Sequence, residues 1–317
     1  MSTILVTGPS GFVGHHLVPA LVTAGHHVVG LVRSDAAGER VRASLDPGDE
    51  ANLELRRGDV TEPSTLVPAL EGVDAVVHLA AIARDWDGGA SLRLVNTEGT
   101  RNLVAAMRTA GVRRLVHQGA LGVEDDPALE YASSKAKAER IVAESGLDWT
   151  ILRPSLLWGA GDGFFNIIAS LVRWSPGVVP IAGRGTSRFQ PLAVVDEARV
   201  IVDVLARPDT IGRTFELGGP RTWTYREIVG EVVRALGAHR LVVPMPVPLI
   251  ALVARSAELV RLPFPVASDQ LRQLRLDNVT ALDAVAAAFG FVPLDMEGRL
   301  GYLRRRPAEQ LAVSRRA

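Results

Sequence analysis

The architecture of this chain is set near its start, by the stretch Thr3-Ile4-Leu5-Val6-Thr7-Gly8-Pro9-Ser10-Gly11-Phe12-Val13-Gly14. A short run of β-branched and aliphatic residues ends in a turn with glycines at 8, 11 and 14. An apolar pattern with helical spacing begins at Phe12 and continues to Val22. The pattern predicts a strand, a tight glycine turn and a helix. Such a turn presents backbone N–H groups, at the positive end of a helix, to a pyrophosphate.

Each of the three glycines has its own expected role in that turn. Gly8 lets the chain turn sharply, Gly11 lets the backbone approach the phosphates, and Gly14 lets the helix pack closely on the strand. A glycine triplet alone is a weak signal, but this one lies between a predicted strand and a predicted helix, which is the required context. We therefore predict a dinucleotide site whose contacts in the turn are Gly8, Ser10, Gly11, Phe12, Val13 and Gly14.

Strand and helix patterns alternate through the first half of the chain. The further predicted strands are 28–32, 53–57, 75–79, 114–117 and 150–152, and long helices are predicted over 90–110 and 131–143. The polar residues 35–50 predict a loop or a short helix. The run Ala75–Leu79 is continuously apolar, which is typical of a parallel strand buried on both faces. The alternation predicts an α/β fold, a Rossmann-type doubly wound parallel sheet with right-handed crossovers.

The alternation loosens after Arg153-Pro154, where glycines and prolines become frequent. We predict an NAD(P)-binding Rossmann domain over residues 1–155, to which residues 190–218 return. Residues 156–189 and 219–317 then form a smaller C-terminal substrate lobe. The apolar stretch Leu241–Val260 in that lobe contains three prolines and two charged residues, so we predict a buried or groove-covering helix rather than a membrane span.

Composition excludes several classes of function. Lys and Arg together number 35 and so do Asp and Glu, so no bulk charge attracts nucleic acid or an anionic membrane. The absence of cysteine excludes disulfides, thiolate metal sites and thiol catalysis. The first strand begins at Thr3, so we expect no signal peptide, and no uncharged apolar run reaches the ~18 residues of a membrane span. We therefore expect a cytoplasmic protein.

Tyr131 and Lys135 are the strongest candidates for catalysis, in the stretch Tyr131-Ala132-Ser133-Ser134-Lys135. Residues four apart on a helix lie on one face. A lysine ammonium beside a phenol favours the phenolate and lowers the pKa of the tyrosine. A tyrosine tuned in this way acts as a general acid or base near neutral pH. An exposed aromatic–lysine pair is the alternative, but the preceding nucleotide turn and fifth strand favour catalysis.

With these residues, the chain resembles the short-chain dehydrogenase/reductase superfamily in its extended or atypical branch, the NAD-dependent epimerase/dehydratase type. The matching motifs follow the family order over nearly the whole chain: Thr7–Gly14, Gly58–Val60, His78–Ala81, Asn96–Asn102, Tyr131 with Lys135, Arg153–Ser155 and Phe189–Glu197. The overall pattern, including Gly161–Asn166 and Asp277–Val279, is most similar to the subgroup of the dehydrogenase-like accessory subunit of respiratory complex I.

The resemblance implies further contacts with a bound nucleotide. They are Asp59 and Val60 at the adenine, Leu79, Ala80 and Ala81 along the path of the nucleotide, Lys135 beside Tyr131 at the nicotinamide ribose, and Pro154 and Ser155 past the nicotinamide ring. The resemblance also implies that Asn96 supports the active site from the long helix, and plain helix packing is the alternative role for this residue.

One motif departs from the family pattern. Active members carry a Ser or Thr just after the fifth strand, whose hydroxyl binds the substrate oxygen. Here the expected position falls on Gly119 or Ala120, and the stretch 117–123 contains no hydroxyl. Losing one preorganised donor costs roughly 10²–10³ in rate. Either a water, Ser155 or the substrate's own groups compensate, or the protein has lost catalysis and keeps the nucleotide, as the similar complex I subunit implies.

The end of the second strand distinguishes NAD from NADP. An acidic residue there binds the ribose 2′-OH, whereas an arginine suits a 2′-phosphate. The strand ends in Val32-Arg33-Ser34, and the nearest acid, Asp35, lies beyond it. Arg33 predicts a charge-assisted pair with a phosphate, and Ser10 and Ser34 are further donors. We favour NADP(H). The alternative is NAD(H), and in that case Arg33 is an ordinary solvated residue.

The remaining candidate residues give weaker support for a functional role. Adjacent histidines point in different directions, and His78 and His117 close two buried strands as packed side chains, so we predict no metal site. The loop Arg84–Asp87 either overhangs the cofactor or is an ordinary surface loop. We expect a small-molecule substrate, no nucleic-acid partner, and either a homodimer or association with a larger complex.

Two functions follow from these residues. We favour an NAD(P)-dependent oxidoreductase or epimerase acting on a carbonyl or sugar-type substrate, with Tyr131 as acid/base and Lys135 as the residue that tunes it. The alternative is a non-catalytic NADP(H)-binding protein that serves as a redox sensor, an assembly factor or a structural subunit. The intact Tyr131/Lys135 pair favours the enzyme, and the missing hydroxyl at 119/120 favours the alternative.

Overall fold

The computed structural model describes residues 1–83, 87–126, 128–246, 277–306 and 310. These residues form two compact units. Unit 1 comprises Met1–Pro154, Val194–Leu217 and Ala286–Phe291, and unit 2 comprises the described residues of Ser155–Ala193, Gly218–Val285 and Val292–Ala317. Two predicted features lie outside the described residues, namely Arg84–Trp86 of the predicted loop and residues 247–260 of the predicted apolar helix.

The described strands are β1 Thr3–Thr7, β2 His27–Val32, β3 Leu53–Arg57, β4 Ala75–His78, β5 Arg114–Gln118, β6 Asp148–Pro154, β7 Leu157–Trp158, β8 Val178–Ala182, β9 Arg188–Phe189, β10 Leu192–Ala193, β11 Arg213–Leu217, β12 Trp223–Thr224 and β13 Leu241–Met245. The described α-helices are α1 Phe12–Thr23, α2 Asp35–Arg42, α3 Leu66–Ala69, α4 Ala90–Leu92, α5 Gly99–Ala110, α6 Glu130–Ala143, α7 Phe164–Trp174, α8 Val194–Ala206, α9 Tyr225–Ala235 and α10 Ala284–Phe289. A π-helical segment, Arg93–Glu98, joins α4 to α5.

Unit 1 is built on a seven-stranded sheet in the order β11-β6-β5-β4-β1-β2-β3, and every neighbouring pair is parallel. The central strands are rich in Val, Leu and Ile, which suit strands covered on both faces. The strand order reverses between β1 and β4, and ligands of such sheets bind outside the carboxyl ends of the strands at this point. The predicted Rossmann-type doubly wound parallel sheet is confirmed.

The helices of unit 1 bury their apolar faces on this sheet. One core cluster joins Leu5, Val76 and Leu115 of the strands to Leu103 and Met107 of α5. The two α5 residues lie four apart in sequence, so they share one face of the helix. This packing fixes the strand ends, from which the candidate site residues extend.

The polar stretch 35–50 begins with a short helix, α2, one of the two predicted possibilities, and the Ser34 hydroxyl accepts a hydrogen bond from the Ala37 N–H at 3.3 Å. Two other expectations differ from the structure. Residues 192–193, at the start of the segment expected to return to the Rossmann domain, form a two-residue strand that pairs with β7 rather than with the central sheet. The start of the predicted helix 241–260 is instead strand β13, parallel to β8, because prolines oppose a helix and the run Leu241–Val243 suits a strand.

Unit 2 has its own hydrophobic core. Phe165 and Ile168 of α7 pack with Ile228 and Val232 of α9 and with Leu300. The helix α9 begins with a capping box, in which Thr224 and Glu227 each bind the other's backbone N–H. Unit 2 is therefore held by apolar contacts that do not depend on the central sheet.

Candidate functional site

The glycine turn between β1 and α1 is tightly packed. Gly8 has a φ of 68°, in the left-handed region that favours glycine. A Cβ atom on Gly14 would lie 2.5 Å from the carbonyl oxygen of Pro9 and 2.6 Å from that of Gly8. A Cβ atom on Gly8 would lie 3.0 Å from the backbone nitrogen of Ala80, so the segment after β4 also lies against the turn. Only glycine fits at position 14 without moving the backbone.

The first turn of α1 offers backbone donors to an anion. The first N–H groups of a helix have no partner within the helix, and the N-cap residue, Gly11, has no side chain to bind them. Gly11 is exposed, Ser10 and Phe12 are half-buried, and Val13 is buried, so Val13 can contribute only its backbone. Donors at the positive end of a 12-residue helix fit a pyrophosphate.

Thr7, the last residue of β1, fixes the segment that follows β4. Its hydroxyl oxygen accepts hydrogen bonds from the backbone N–H groups of Leu79 at 3.2 Å and Ala80 at 3.1 Å. Thr7 is fully buried, Leu79 and Ala80 are half-buried, and Ala81 is exposed. Thr7 therefore positions Leu79 and Ala80, two of the three residues that we predicted along the path of the nucleotide.

His78 completes a buried hydrogen-bonded chain behind this segment. The Thr100 hydroxyl donates to the Asn96 carbonyl oxygen at 2.6 Å, so it accepts from His78 Nε2 at 3.0 Å. His78 Nδ1 then accepts the hydroxyl proton of Thr7 at 2.7 Å. Burial, together with the charge of Lys135, lowers the pKa of His78 to about 3, so this imidazole is neutral at pH 7.

Asn96 lies in the π-helical segment and is buried. Its Oδ1 accepts from the backbone N–H of Ile82, and its Nδ2 donates to the carbonyl oxygen of Ile82, both at 2.9 Å. The same Nδ2 donates to the Ser134 hydroxyl at 3.0 Å. The amide of Asn96 thus ties the loop after β4 to α6, which is a supporting arrangement for the residues around it.

At the predicted adenine end of the site, an arginine lies near a carboxylate. Arg33 follows β2, its side chain is 73% exposed, and its Nε lies 3.9 Å from Asp59 Oδ2. Asp59 Oδ1 accepts from the backbone N–H and the hydroxyl of Thr61, both at 2.9 Å. Ser34 caps α2, and Val60 is buried.

A second arginine lies at the same edge of the sheet. The parallel register pairs Val32 with Arg57, so Arg33 and Arg57 extend from adjacent strand ends. The Arg57 side chain is 71% exposed, and its Nη1 lies 3.4 Å from Oδ1 of the fully exposed Asp35. This edge therefore carries two exposed guanidinium groups.

Tyr131 and Lys135 lie one turn apart in α6. Lys135 is buried, and its Nζ donates to the carbonyl oxygen of Gln118, the last residue of β5. Burial lowers the pKa of Lys135 to about 8, while the carboxylates of Glu139 and Glu197 oppose that fall. Burial, and then the charge of Glu139, raise the pKa of Tyr131 to about 12. The expected lowering of the tyrosine pKa is wrong, because burial and the Glu139 carboxylate both raise it.

The position that lacks a hydroxyl is filled from α6. A Cβ atom on Gly119 would lie 2.0 Å from Glu139 Oε1 and 2.9 Å from Glu139 Cδ. Glu139 is buried, and its Oε2 accepts from Nε of Arg153 at 2.8 Å and from Nη2 at 2.7 Å. No Ser or Thr side chain fits at 119 while Glu139 keeps this position. The neighbouring Ala120 is half-buried.

Ser155 is engaged within unit 2. Its hydroxyl oxygen lies 2.6 Å from Asn278 Oδ1 and 3.0 Å from the Asn278 carbonyl oxygen, and it accepts from the Gln190 N–H at 3.3 Å. Because a hydroxyl has one proton, Ser155 has no donor left for a substrate in this arrangement. Pro154, which ends β6 in unit 1, is buried and accepts from the Leu121 N–H at 2.9 Å.

His117 lies beside His78, with the ring centroids 5.2 Å apart. Both ring nitrogens of His117 are buried and have no hydrogen-bond partner among the described residues. Burial, together with Lys135 and His78, lowers the pKa of His117 well below its usual value, so it is neutral. The part of the chain that the structure describes contains no cluster of three side chains suited to a metal ion.

Sequence reasoning missed Thr7, Arg57 and Glu139. Glu139 carried a usable signal, because it lies four residues after Lys135 and so shares its helical face. Thr7 and Arg57 carried none, since their roles depend on which strands are neighbours and in what register. The structure places Lys135 and Glu139 at the end of β5, with Tyr131 one helical turn before Lys135 in α6.

Comparison with known proteins adds to this geometry. A family model described as NAD(P)H-binding matches residues 8–164. The 2-alkyl-3-oxoalkanoate reductase of Stenotrophomonas maltophilia is 30% identical over 264 residues, which cover 75% of this chain and 77% of the reductase. The mitochondrial NADH dehydrogenase (ubiquinone) 1 alpha subcomplex subunit 9 of Arabidopsis thaliana is 27% identical over 302 residues, which cover 92% of this chain and 73% of that subunit.

A solved structure agrees with the fold. The UDP-glucose 4-epimerase of Thermus thermophilus in complex with NAD matches with a TM-score of 0.70 at 22% identity, and the match covers 96% of this chain and 98% of the epimerase. At this level of identity the likeness shows the architecture alone.

Proposed function

Because the chain belongs to the NAD(P)-binding short-chain dehydrogenase/reductase superfamily, in its extended or atypical branch, we propose that it is an oxidoreductase that uses NADP(H) on a carbonyl or sugar-type substrate. The observation that carries the proposal is the half-buried Tyr131 one helical turn before the buried Lys135, whose ammonium group binds the end of β5. The reductase from Stenotrophomonas maltophilia supports a carbonyl substrate.

In this proposal a bound NADPH supplies hydride, and the chain supplies the proton. Burial holds the pKa of Tyr131 at about 12, so its hydroxyl is protonated at neutral pH and donates to the carbonyl oxygen as negative charge develops there. Lys135 binds the nicotinamide ribose, and its positive charge stabilises the phenolate that Tyr131 becomes. The glycine turn binds the pyrophosphate.

We expect Tyr131→Phe to lower turnover roughly 10²–10⁴-fold, because the variant loses its general acid. NADPH binding should persist, since the aromatic ring remains. The measurement is NADPH consumption by purified protein over a panel of aldehydes, ketones and nucleotide sugars, with binding followed by fluorescence. Tyr225→Phe, which removes a hydroxyl from the core of unit 2, is the matched control. A wild-type protein that binds NADPH tightly and converts no member of the panel would contradict the enzymatic proposal.

We propose NADP(H) over NAD(H) as the preferred nucleotide. Arg33 and Arg57 are both more than two-thirds exposed and extend from adjacent strand ends, where the 2′-phosphate would lie. A guanidinium group binds a phosphate through charge-assisted hydrogen bonds. Asp35, the first acid in sequence after β2, is in the first turn of α2 and interacts with Arg57.

Arg33→Ala is expected to weaken NADPH binding about 10- to 100-fold, because a hydrogen bond to a charged group contributes ~1.5–3 kcal/mol. The affinity for NADH should not change, since NADH has no 2′-phosphate. Fluorescence titrations of both nucleotides at one ionic strength measure the difference. Arg101→Ala, an exposed arginine of α5, is the control. Equal wild-type affinities for NADH and NADPH, or an unchanged NADPH affinity in Arg33→Ala, would refute the preference.

The surroundings of Gly119 favour a second function. Glu139 takes the space of a side chain at 119, and the Ser155 proton is already used, so neither residue replaces the missing donor. A non-catalytic NADP(H)-binding protein, acting as a redox sensor, an assembly factor or a structural subunit, is compatible with this site. The similarity to the NADH dehydrogenase subunit supports this candidate. It requires tight NADPH binding without turnover.

We also propose a cellular location and partners for the protein. Within the described ranges, every helix is too short or too polar to cross a membrane. We propose a cytoplasmic protein that binds a small-molecule substrate and forms either a homodimer or part of a larger complex. The NADH dehydrogenase relative supports the larger complex.

A further inference from the structure

The Glu139 carboxylate binds Arg153 through only one of its two oxygens. Its Oε2 accepts two hydrogen bonds from the Arg153 guanidinium. Its Oε1 is buried and has no hydrogen-bond partner within the described part of the chain. Buried polar atoms are normally paired, so an orphan oxygen of this kind calls for an explanation.

The free oxygen points to the end of β5. It lies 2.0 Å from where a Cβ atom on Gly119 would be, so it occupies the space in which any side chain at 119 would begin. The adjacent carbonyl group, that of Gln118, accepts from the Lys135 ammonium. Lys135 and Glu139 are four residues apart in α6 and share one face.

We propose that Glu139 is a positioning residue that keeps the buried Lys135 side chain charged, and that it acts from the space left by the missing side chain at 119. The proposal rests on the proposed function only in assigning Lys135 to the nucleotide. A buried ammonium ion is costly unless an opposite charge lies near it.

The groups around Lys135 leave few other sources of negative charge. Those that face it from the neighbouring elements are His78 of β4, His117 of β5, Tyr131 and Glu139 of α6, and Glu197 of α8. Both imidazoles are neutral because burial lowers their pKa values, and burial raises the pKa of Tyr131, so the phenol is neutral too. Burial also raises the pKa of Glu197 to about 8, so Glu197 supplies only part of a negative charge at pH 7 and ranks after Glu139 among the groups that raise the pKa of Lys135. Glu139, with its two bonds from Arg153, is the larger of the two opposing charges.

The small number of lysines in the chain makes the protonation of Lys135 directly measurable. Of its 35 Lys and Arg residues, only Lys135 and Lys137 are lysine. Protein labelled with ¹³C-lysine therefore gives two side-chain signals, and Lys137→Arg identifies the signal of Lys135. A pH titration of that signal, in the full chain without nucleotide, reports the midpoint for Lys135.

Glu139→Gln should move this midpoint down by about one pH unit, because an opposite charge within a few ångströms raises the pKa of a lysine by that order. Arg153→Gln should move the midpoint up, because it removes the cation that neutralises Glu139. A purely structural role for the Glu139–Arg153 pair predicts the same direction for both variants. Glu144→Gln, which removes an exposed carboxylate just after α6, should leave the midpoint unchanged.

An unchanged midpoint in Glu139→Gln, or a shift of the same sign in both variants, overturns the proposal. If Glu139→Gln does not fold, Arg153→Gln tests the proposal alone. An upward shift of the Lys135 midpoint supports it, and any other result overturns it. NADPH titrations are run separately on the same proteins. Opposite midpoint shifts without NADPH binding would support the role of Glu139 and refute the proposed nucleotide function.

Discussion

Gly14→Ala is expected to abolish nucleotide binding and to lower the free energy of unfolding by about 3 kcal/mol, the upper range for overpacking in a filled core. The added methyl group would meet the carbonyl oxygens of Pro9 and Gly8 at 2.5 and 2.6 Å. Both obstacles are backbone atoms, so α1 must move away from the turn. That movement displaces the N–H donors at the start of α1 from the pyrophosphate.

The control for this change is Gly230→Ala. Gly230 also lies in a helix, α9, but a Cβ atom there would meet nothing within 4 Å. Alanine is the better helix former by roughly 0.8–1.0 kcal/mol, so this variant should be more stable than the wild type. Urea unfolding followed by circular dichroism, and fluorescence titration with NADPH, separate the two effects. Unchanged NADPH affinity in Gly14→Ala would show that the nucleotide binds elsewhere.

Gly119→Ser is expected to destabilise the protein by about 2–3 kcal/mol, because its Cβ atom would overlap the carboxylate of Glu139. It should not restore the hydroxyl that active relatives use. In the double variant Gly119→Ser/Glu139→Ala the overlap is gone, so its free energy of unfolding should exceed the value expected from adding the two single effects.

A double-mutant cycle by urea unfolding measures this coupling. Gly163→Ser is the control, since a Cβ atom at Gly163 meets nothing within 4 Å and serine is tolerated at the start of α7. Additive effects of the two substitutions would mean that Glu139 moves freely out of the way. A positive coupling would show that the carboxylate and a side chain at 119 compete for one space.

Local sequence patterns were sufficient for the fold of unit 1. The glycine spacing from Gly8 to Gly14 and the apolar run Ala75–Leu79 predicted the turn and a buried strand, because both depend on neighbours in sequence. The sequence does not reveal that β13 pairs with β8, since that depends on residues far apart in the chain. Local composition therefore misassigned 241–245 as helix.

The candidate site was likewise predictable from the sequence only in part. The spacing of Tyr131 and Lys135 predicted a shared helical face, but not the direction of the tyrosine pKa, which depends on burial and on Glu139. The Arg57 side chain became a candidate only through the register of β2 and β3. Ser155 had a hydroxyl to offer in the sequence, but Asn278, 123 residues away, uses it.

The contact between Gly119 and Glu139 also constrains how this lineage can evolve. A serine at 119 is disfavoured while a glutamate stands at 139, and removing the glutamate first leaves the half-buried Arg153 without its partner. Either order of substitution passes through a less stable ancestor, so the two sites are epistatic. Descendants are expected to retain Gly119 and Glu139 together, and selection for catalysis would act more readily on other donors than on recovering a serine at 119.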